Sequence, residues 1–168
     1  MKEIHFRLHI VRPTLRALDM WSEVAEDLLV GTAVHESGGL EAVDQITGAG
    51  DVEPGPAFGL FQMERLTLND HLAYLAAREQ MERRVMNFRA PQPQDLALQL
   101  MGNHFFAAAM ARIHYWRKPE RLPGRGDLHG LAAYWKRHYN TPAGKGTVEK
   151  FIADWNAHGA AKGAEWWS

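Results

Sequence analysis

Apolar residues at the beginning of the chain recur at two intervals at once. Helical spacing connects Ile4, Leu8, Val11, Leu15 and Leu18. Strand-like alternation connects Ile4, Phe6, Leu8 and Ile10. Segments that could pair with such a strand are scarce further along the chain, so we prefer a helical interpretation. Pro13 suits the first turn of a short helix over about 13–19.

A second helix is predicted from Ser22 to about Glu36. Ser22 is a favourable N-cap residue, and glutamates 23 and 26 lie near the positive end of the helix dipole. The apolar positions of this helix are Val24, Leu28, Leu29 and Ala33. Gly38 and Gly39 then end the helix, because glycine adopts the left-handed C′ conformation without a side-chain penalty.

The remaining pattern predicts a mainly α-helical protein. Residues 40–57 are rich in glycine and proline and predict a long surface loop or a short hairpin, and loops of this length are often functional. Further helices are predicted at about 64–82, 94–101, 104–117, 128–139 and 147–158, with prolines between them. We therefore expect one domain over 1–158, followed by a C-terminal tail over 159–168.

Composition excludes several classes of function. The 168 residues carry a formal net charge of -1, so no general attraction to nucleic acid is expected. The chain has no cysteine, hence neither disulfides nor thiolate metal ligands. Charges and histidines interrupt the amino-terminal apolar positions, unlike a secretory signal, and no stretch is long enough to predict membrane insertion. Any chemistry must use oxygen and nitrogen groups.

Glu36 lies where an acid can keep its proton. Unpaired carbonyl groups give the carboxyl end of a helix a partial negative charge, which disfavours an ionised carboxylate. Burial among apolar residues would raise the pKa further. A protonated carboxyl group near neutral pH can act as a general acid on a sugar oxygen. The alternative is an ordinary solvated glutamate in the last turn of a helix.

A metal site is not predicted. His35-Glu36 matches the beginning of the zinc-binding pattern H-E-x-x-H, but Gly39 occupies the position of the second histidine. The other histidines lack the spacing of metal ligands. No cofactor is therefore expected.

Four short motifs occur in order along residues 22–142. They are Glu36-Ser37, Gly59-Leu60-Phe61-Gln62, the segment NHFFAAAMARIHYW beginning at Asn103, and HYNTPAG, which contains Tyr139 and Asn140. The set resembles the lytic transglycosylase branch of the lysozyme-like superfamily. In that family the corresponding motifs are a catalytic Glu-Ser, Gly-Leu-Met-Gln, an alanine-rich core helix after Asn, and Ala-Tyr-Asn-Ala-Gly. Small phage-encoded members are similar in overall pattern.

The resemblance implies a lysozyme-like helical domain that cleaves peptidoglycan glycan strands. Glu36 would protonate the oxygen between N-acetylmuramic acid and N-acetylglucosamine, and would then act as base toward the C6 hydroxyl, giving a 1,6-anhydro product. Ser37 would hydrogen-bond near the reacting sugar, and Gln62 would offer its amide to the glycan. Tyr139 would place its hydroxyl against Glu36, and Asn140 would support that turn. Tyr134 or Trp135 would be a candidate for lining the sugar groove.

Two other functions remain open at this point. Asp44 or Asp51 would serve as a second carboxylate if it lay about 6.5–9.5 Å from Glu36, and the enzyme would then be an inverting muramidase; a retaining muramidase is a related alternative. A non-catalytic virion structural or wall-binding protein would also retain the fold. The phage resemblance implies a location in the virion or the host cytoplasm, with delivery to the cell wall and other virion proteins as partners.

Overall fold

The computed structural model describes residues 1–43, 55–140 and 146–158. Over these residues the protein is mainly α-helical, as predicted, with one two-stranded antiparallel ladder. The elements in chain order are α1 (Glu3–Phe6), a π-helical turn (Arg7–Val11), α2 (Arg12–Ala17), α3 (Glu23–Glu36), β1 (Ala57–Phe58), β2 (Met63–Glu64), α4 (Arg65–Ala76), α5 (Glu79–Met86), α6 (Leu96–Gly102), α7 (His104–Trp116), α8 (Leu128–His138) and α9 (Val148–Ala157).

The amino-terminal segment is helical from Glu3, which confirms the helical interpretation of its first apolar residues. The short helix predicted over about 13–19 is not separate from them, because the α1 helix, the π-helical turn and α2 follow one another without a break. The π-helical turn ends at Val11, two residues before Pro13, whose missing N–H would interrupt a regular α-helix. The core-facing side chains of the segment are fully buried; they are Phe6, Val11, Leu15 and Leu18.

A buried ionic cluster joins the amino-terminal segment to α3. The Arg7 guanidinium donates to Glu3 at 2.7 Å, to Asp27 at 2.6 Å and to Glu26 at 3.2 Å. Burial raises the pKa of Glu3 and of Asp27. Burial also acts to raise the pKa of Glu26, but hydrogen bonds from Arg12 and Trp21 outweigh it and hold that pKa below its usual value. The contacts of Arg7 with Glu26 and Asp27 span 19 and 20 positions, so the hydrophobic pattern of the sequence does not reveal them.

The α3 helix is the central helix of the core and has the predicted bounds. The Ser22 hydroxyl accepts a hydrogen bond from Ala25 N at 3.1 Å, which confirms the N-cap. Gly38 and Gly39 have φ values of 62° and 92°, which confirms the glycine termination. Nine of the ten helix residues at 25–34 are buried, and the exception is Asp27. The helix packs against α7, α8 and α9.

One prediction about the middle of the chain is wrong, and most of another lies outside the described residues. The loop or hairpin predicted over 40–57 falls largely in the second group, and the hairpin that the structure describes follows it: Ala57 pairs with Glu64 and Phe58 with Met63. The single helix predicted over 64–82 is two helices, α4 and α5. Arg78 stacks 3.5 Å from the centroid of the Tyr74 ring and donates to the Tyr74 carbonyl at 2.8 Å, which satisfies a carbonyl at the end of α4.

The later helices begin within two residues of the predicted positions. The side chains of four N-cap residues accept a hydrogen bond from the following turn; these residues are Asp95, Asn103, Asp127 and Thr147. The predicted tail at 159–168 lies outside the described residues. In the described ranges, no helix combines the length and the apolar character needed to cross a membrane.

Replacement of Gly31 by alanine is expected to reduce the free energy of unfolding by about 1–3 kcal/mol, as overpacking of a core does. A β-carbon at Gly31 would lie 2.6 Å from Phe151 Cζ and 3.0 Å from Trp155 Cε3, between α3 and α9. Urea unfolding measures the loss. Gly102→Ala is the matched control, because nothing lies within 4 Å of its β-carbon position in α6. Equal losses in the two variants would contradict the close packing of α3 on α9.

Candidate active site

The Glu36 carboxyl group is half-buried at the last residue of α3. Its Oε1 atom accepts a hydrogen bond from the indole Nε1 of Trp135 at 2.9 Å. Burial raises the pKa of Glu36 to about 7, and the hydrogen bond from Trp135 opposes this change. The predicted direction of the pKa shift is therefore confirmed. A carboxyl group with this pKa can donate a proton near neutral pH and accept it back.

Trp135 is the residue of this site whose role sequence reasoning missed. It lies in α8, 99 positions beyond Glu36, and its side chain is fully buried. The indole N–H is a donor only, so a carboxyl oxygen is a suitable partner. Tyr134 is also buried, at 4% exposure, so neither residue is available to line a sugar groove. The sequence signal that could have indicated this role is the spacing of four positions between Trp135 and Tyr139, because residues four apart are neighbours on the surface of a helix.

Tyr139 lies beside Glu36 but hydrogen-bonds elsewhere. Its hydroxyl donates to the carbonyl oxygen of Phe61 at 2.7 Å, so the predicted hydrogen bond from Tyr139 to Glu36 is wrong. The Phe61 carbonyl lies in the turn between β1 and β2, and the Tyr139 hydroxyl is its hydrogen-bond donor. Burial raises the pKa of Tyr139 far above its ordinary value, and the nearby charge of Glu36 adds to the rise. The hairpin, the end of α3 and the end of α8 therefore meet at this point.

The turn that contains Gln62 is fixed by backbone geometry. Gly59 has φ of 74°, and a β-carbon there would lie 2.0 Å from the carbonyl oxygen of Leu100, so only glycine fits. Its N–H donates to Val43 O at 2.9 Å. Gln62 also has positive φ, 46°, and its amide nitrogen donates to Gly59 O at 2.8 Å. Within the described part of the chain the Gln62 amide oxygen has no hydrogen-bond partner and can accept from a ligand.

Ser37 does not have the geometry expected of a sugar-binding residue. Its side chain is 1% exposed. The hydroxyl donates to Ala33 O at 2.6 Å and accepts from Leu40 N at 2.9 Å. Both bonds fasten the chain that leaves α3, because helix ends leave carbonyl groups unpaired. Ser37 thus positions the end of α3, and the expected contact with the sugar is corrected.

Asn140 lies at the end of α8, where its backbone N–H donates to Trp135 O at 3.1 Å. Its side chain approaches Gly146: a β-carbon on that glycine would lie 2.4 Å from Asn140 Nδ2. This arrangement places Asn140 in the turn after α8, and within the described residues no hydrogen bond joins it to Glu36. The second-carboxylate candidates Asp44 and Asp51 lie outside the described residues. Across 1–43, 55–140 and 146–158, no acidic side chain contacts the Glu36 carboxyl.

A chain of hydrogen bonds runs from Arg117 through two buried histidines to the carbonyl group of His138, the residue before Tyr139. Arg117 donates to His71 Nδ1 at 2.6 Å, His71 Nε2 is 3.0 Å from His114 Nδ1, and His114 Nε2 is 2.6 Å from the carbonyl oxygen of His138. Because arginine can only donate, every proton in the chain must point toward His138, and both imidazoles are neutral. Burial lowers the pKa of His71 to about 3 and that of His114 to about 4. The His114 ring lies 4.7 Å from the Tyr139 ring.

A metal centre is not found where the structure can be described: no group of three histidine or acidic side chains there is arranged to hold a metal ion. His35 instead pairs with Asp154, Nδ1 to Oδ2 at 2.7 Å. The chain matches no protein-family model, no curated protein and no solved structure.

Glu36→Gln is expected to stabilise the protein at alkaline pH. The folded-state pKa of about 7 exceeds the unfolded value of 4.5, so Glu36 stabilises the fold below pH 4.5 and loses this contribution as the pH rises through 7. Urea unfolding should show a gain of about 1–3 kcal/mol at pH 8 and little gain at pH 5. The exposed Glu41→Gln is the control. A pH-independent effect of Glu36→Gln would contradict the raised pKa.

His71→Gln is expected to weaken the acid sensitivity of the fold. The folded-state pKa values of His71 and His114 lie below the unfolded value of 6.5, so their contribution to stability is present above pH 6.5 and is lost as the pH falls toward 4. Each such histidine contributes a slope of about 1.4 kcal/mol per pH unit. Unfolding between pH 7 and 4 should be less pH-dependent in His71→Gln than in the exposed control His9→Gln. Equal slopes would contradict neutral buried imidazoles.

Proposed function

We propose that this protein is a lysozyme-like enzyme that cleaves the β-1,4 bond between N-acetylmuramic acid and N-acetylglucosamine in peptidoglycan. The observation that carries the proposal is the Glu36 carboxyl group, which burial gives a pKa of about 7 beside the Gln62 turn. Gln62 and Tyr139 come from separate motifs of the resemblance, and both belong to the segments that meet near Glu36. We propose the lytic transglycosylase route.

Glu36 performs both proton transfers in this mechanism. The protonated carboxyl group donates to the glycosidic oxygen, and the bond from C1 of the muramic acid to that oxygen breaks. The resulting carboxylate then accepts the proton of the C6 hydroxyl as that oxygen bonds to C1. The product ends in a 1,6-anhydro ring, and Glu36 regains its proton. A pKa near 7 suits both steps, because each protonation state is accessible at neutral pH.

The surrounding residues bind and orient the reacting groups. Trp135 fixes the carboxyl through its indole N–H. Gln62 offers its free amide oxygen to a sugar hydroxyl or N-acetyl N–H. Tyr139 contributes by holding the Phe61 carbonyl and hence the hairpin turn. Asn140 supports the turn after α8. Glycan strands are the proposed partner; a phage virion or lysis-stage role, with contacts to other virion proteins, is proposed from the motif resemblance alone.

The transglycosylase route needs one carboxylate, whereas a two-carboxylate muramidase needs a second. Within the described residues, Glu36 is the carboxyl group that accepts the Trp135 N–H and its pKa is raised to about 7, which supports the one-carboxylate route. The muramidase alternative depends on Asp44 or Asp51. The non-catalytic alternative, a virion structural or wall-binding protein, would leave the raised pKa of Glu36 without a use.

Purified peptidoglycan digested with the wild-type protein is expected to yield muropeptides with 1,6-anhydromuramic acid ends, identified by mass spectrometry. Glu36→Gln should reduce the rate by at least about 100-fold, because general acid–base catalysis of this kind contributes 10²–10⁴-fold. Glu41→Gln, an exposed glutamate five positions later, is the matched control and should retain activity.

Each alternative gives a different result in the same digest. Reducing muramic acid ends would identify a hydrolase and contradict the transglycosylase route. Full activity in Glu36→Gln would remove Glu36 from the mechanism. A wild-type protein that binds walls but releases no fragments would support the non-catalytic alternative.

A further inference from the structure

The direction of the Trp135 N–H depends on the plane of the indole ring. The N–H bond lies in that plane, so the 2.9 Å contact with Glu36 Oε1 exists only while the ring keeps its orientation. A hydrogen bond to the ionised form of a carboxyl group lowers its pKa. Whatever fixes the ring therefore acts on the rotamer and on the pKa of Glu36.

Two rings fix the Trp135 indole. The His35 imidazole lies 4.3 Å from it, centroid to centroid, at an interplanar angle of 68°, and the Phe151 ring lies 5.2 Å from it at 30°. The backbone at Gly146 covers another edge, since a β-carbon there would lie 2.5 Å from Trp135 Cη2 and 3.1 Å from His35 Nε2. His35, Phe151 and the Gly146 backbone therefore all pack against the indole, and His35 lies nearest to it of the two rings.

His35 is itself held by a charged partner on α9. Its Nδ1 atom is 2.7 Å from Asp154 Oδ2, and the two side chains are 7% and 18% exposed. Because a carboxylate only accepts, Nδ1 carries the proton, which sets the tautomer of the ring. Lys150 Nζ contacts both Asp154 oxygens, at 3.0 and 2.8 Å, and so orients that carboxylate.

Burying the His35–Asp154 pair between α3 and α9 costs more free energy than apolar packing would, because both polar groups lose hydration. An apolar side chain at position 35 would fill the same space between α3, α8 and α9 without a fixed ring orientation. The hydrogen bond to Asp154 adds this orientation, and His35 directly precedes Glu36 in α3.

We infer that Asp154 and His35 are positioning residues for Glu36, and that they act by holding the Trp135 indole so that its N–H points at the carboxyl group. The catalytic consequence rests on the proposed function. The geometry does not, because the Trp135–Glu36 hydrogen bond can be followed without a substrate.

The test is a pH titration of the Trp135 indole ¹H–¹⁵N signal in the full chain, assigned by its absence in Trp135→Phe. In the wild type this signal should shift with a midpoint near pH 7 as Glu36 ionises. In Asp154→Ala, which leaves His35 Nδ1 without its acceptor, the signal should move toward that of an indole without a hydrogen bond. The Glu36 midpoint, followed by the ¹³C shift of its carboxyl carbon, should rise by about 0.5 or more, because a bond that favours the carboxylate is lost.

Matched variants separate positioning from packing. Glu149→Ala also removes a carboxylate from α9, at an exposed side chain, and should leave both signals unchanged. Trp135→Phe should raise the Glu36 midpoint at least as far as Asp154→Ala does. His35→Gln removes the ring while keeping a donor for Asp154 and should act in the same direction; it decides the question if Asp154→Ala does not fold.

Two outcomes would overturn the inference. One is an Asp154→Ala protein that melts at a lower temperature yet keeps the wild-type Trp135 signal and Glu36 midpoint, since the pair would then only join α3 to α9. The other is a wild-type Trp135 signal that does not respond to Glu36 ionisation. A protein that is inert on peptidoglycan but titrates as expected would contradict the proposed function and leave the positioning roles intact. If walls are cleaved, the alkaline limb of the activity profile should move upward in Asp154→Ala by the same amount as the midpoint.

Discussion

The hydrogen bond from the Trp135 indole to Glu36 joins two helices whose relative placement defines the whole site. Glu36 ends α3, the buried central helix, and Trp135 lies in α8 beneath it. Burial raises the pKa of the carboxyl group, and the indole limits that rise. The balance between these two effects produces a value of about 7, which neither would produce alone. Every other feature of the site, including the hairpin turn and the aromatic rings, supports this contact or surrounds it.

Sequence reasoning succeeded where local chemistry decides the structure. Ser22 and Gly38-Gly39 marked both ends of α3, because caps and left-handed positions depend on residues within a few places of one another. The direction of the Glu36 pKa shift was also predictable, because the apolar residues before Glu36 indicated the burial that raises it. The later helices were also found within two residues, since polar N-cap side chains precede each of them.

The errors at the site concern contacts between distant parts of the chain. The break after α4 is a local error, because Arg78 folds back over Tyr74, which lies only four positions earlier. The hydroxyl of Tyr139 finds a carbonyl 78 positions earlier, and Trp135 takes the contact with Glu36 that was expected of Tyr139. No periodicity or motif reveals such partners.

The backbone at Gly59 limits how far the hairpin turn can move. The turn lies directly on the Leu100 carbonyl with no side chain between them, and it is hydrogen-bonded to Val43 on its other side. A side chain at this position could change rotamer, whereas a backbone held on two sides has no comparable freedom. The distance between this turn and the end of α3 is therefore set by main-chain geometry, and side-chain rearrangement cannot change it.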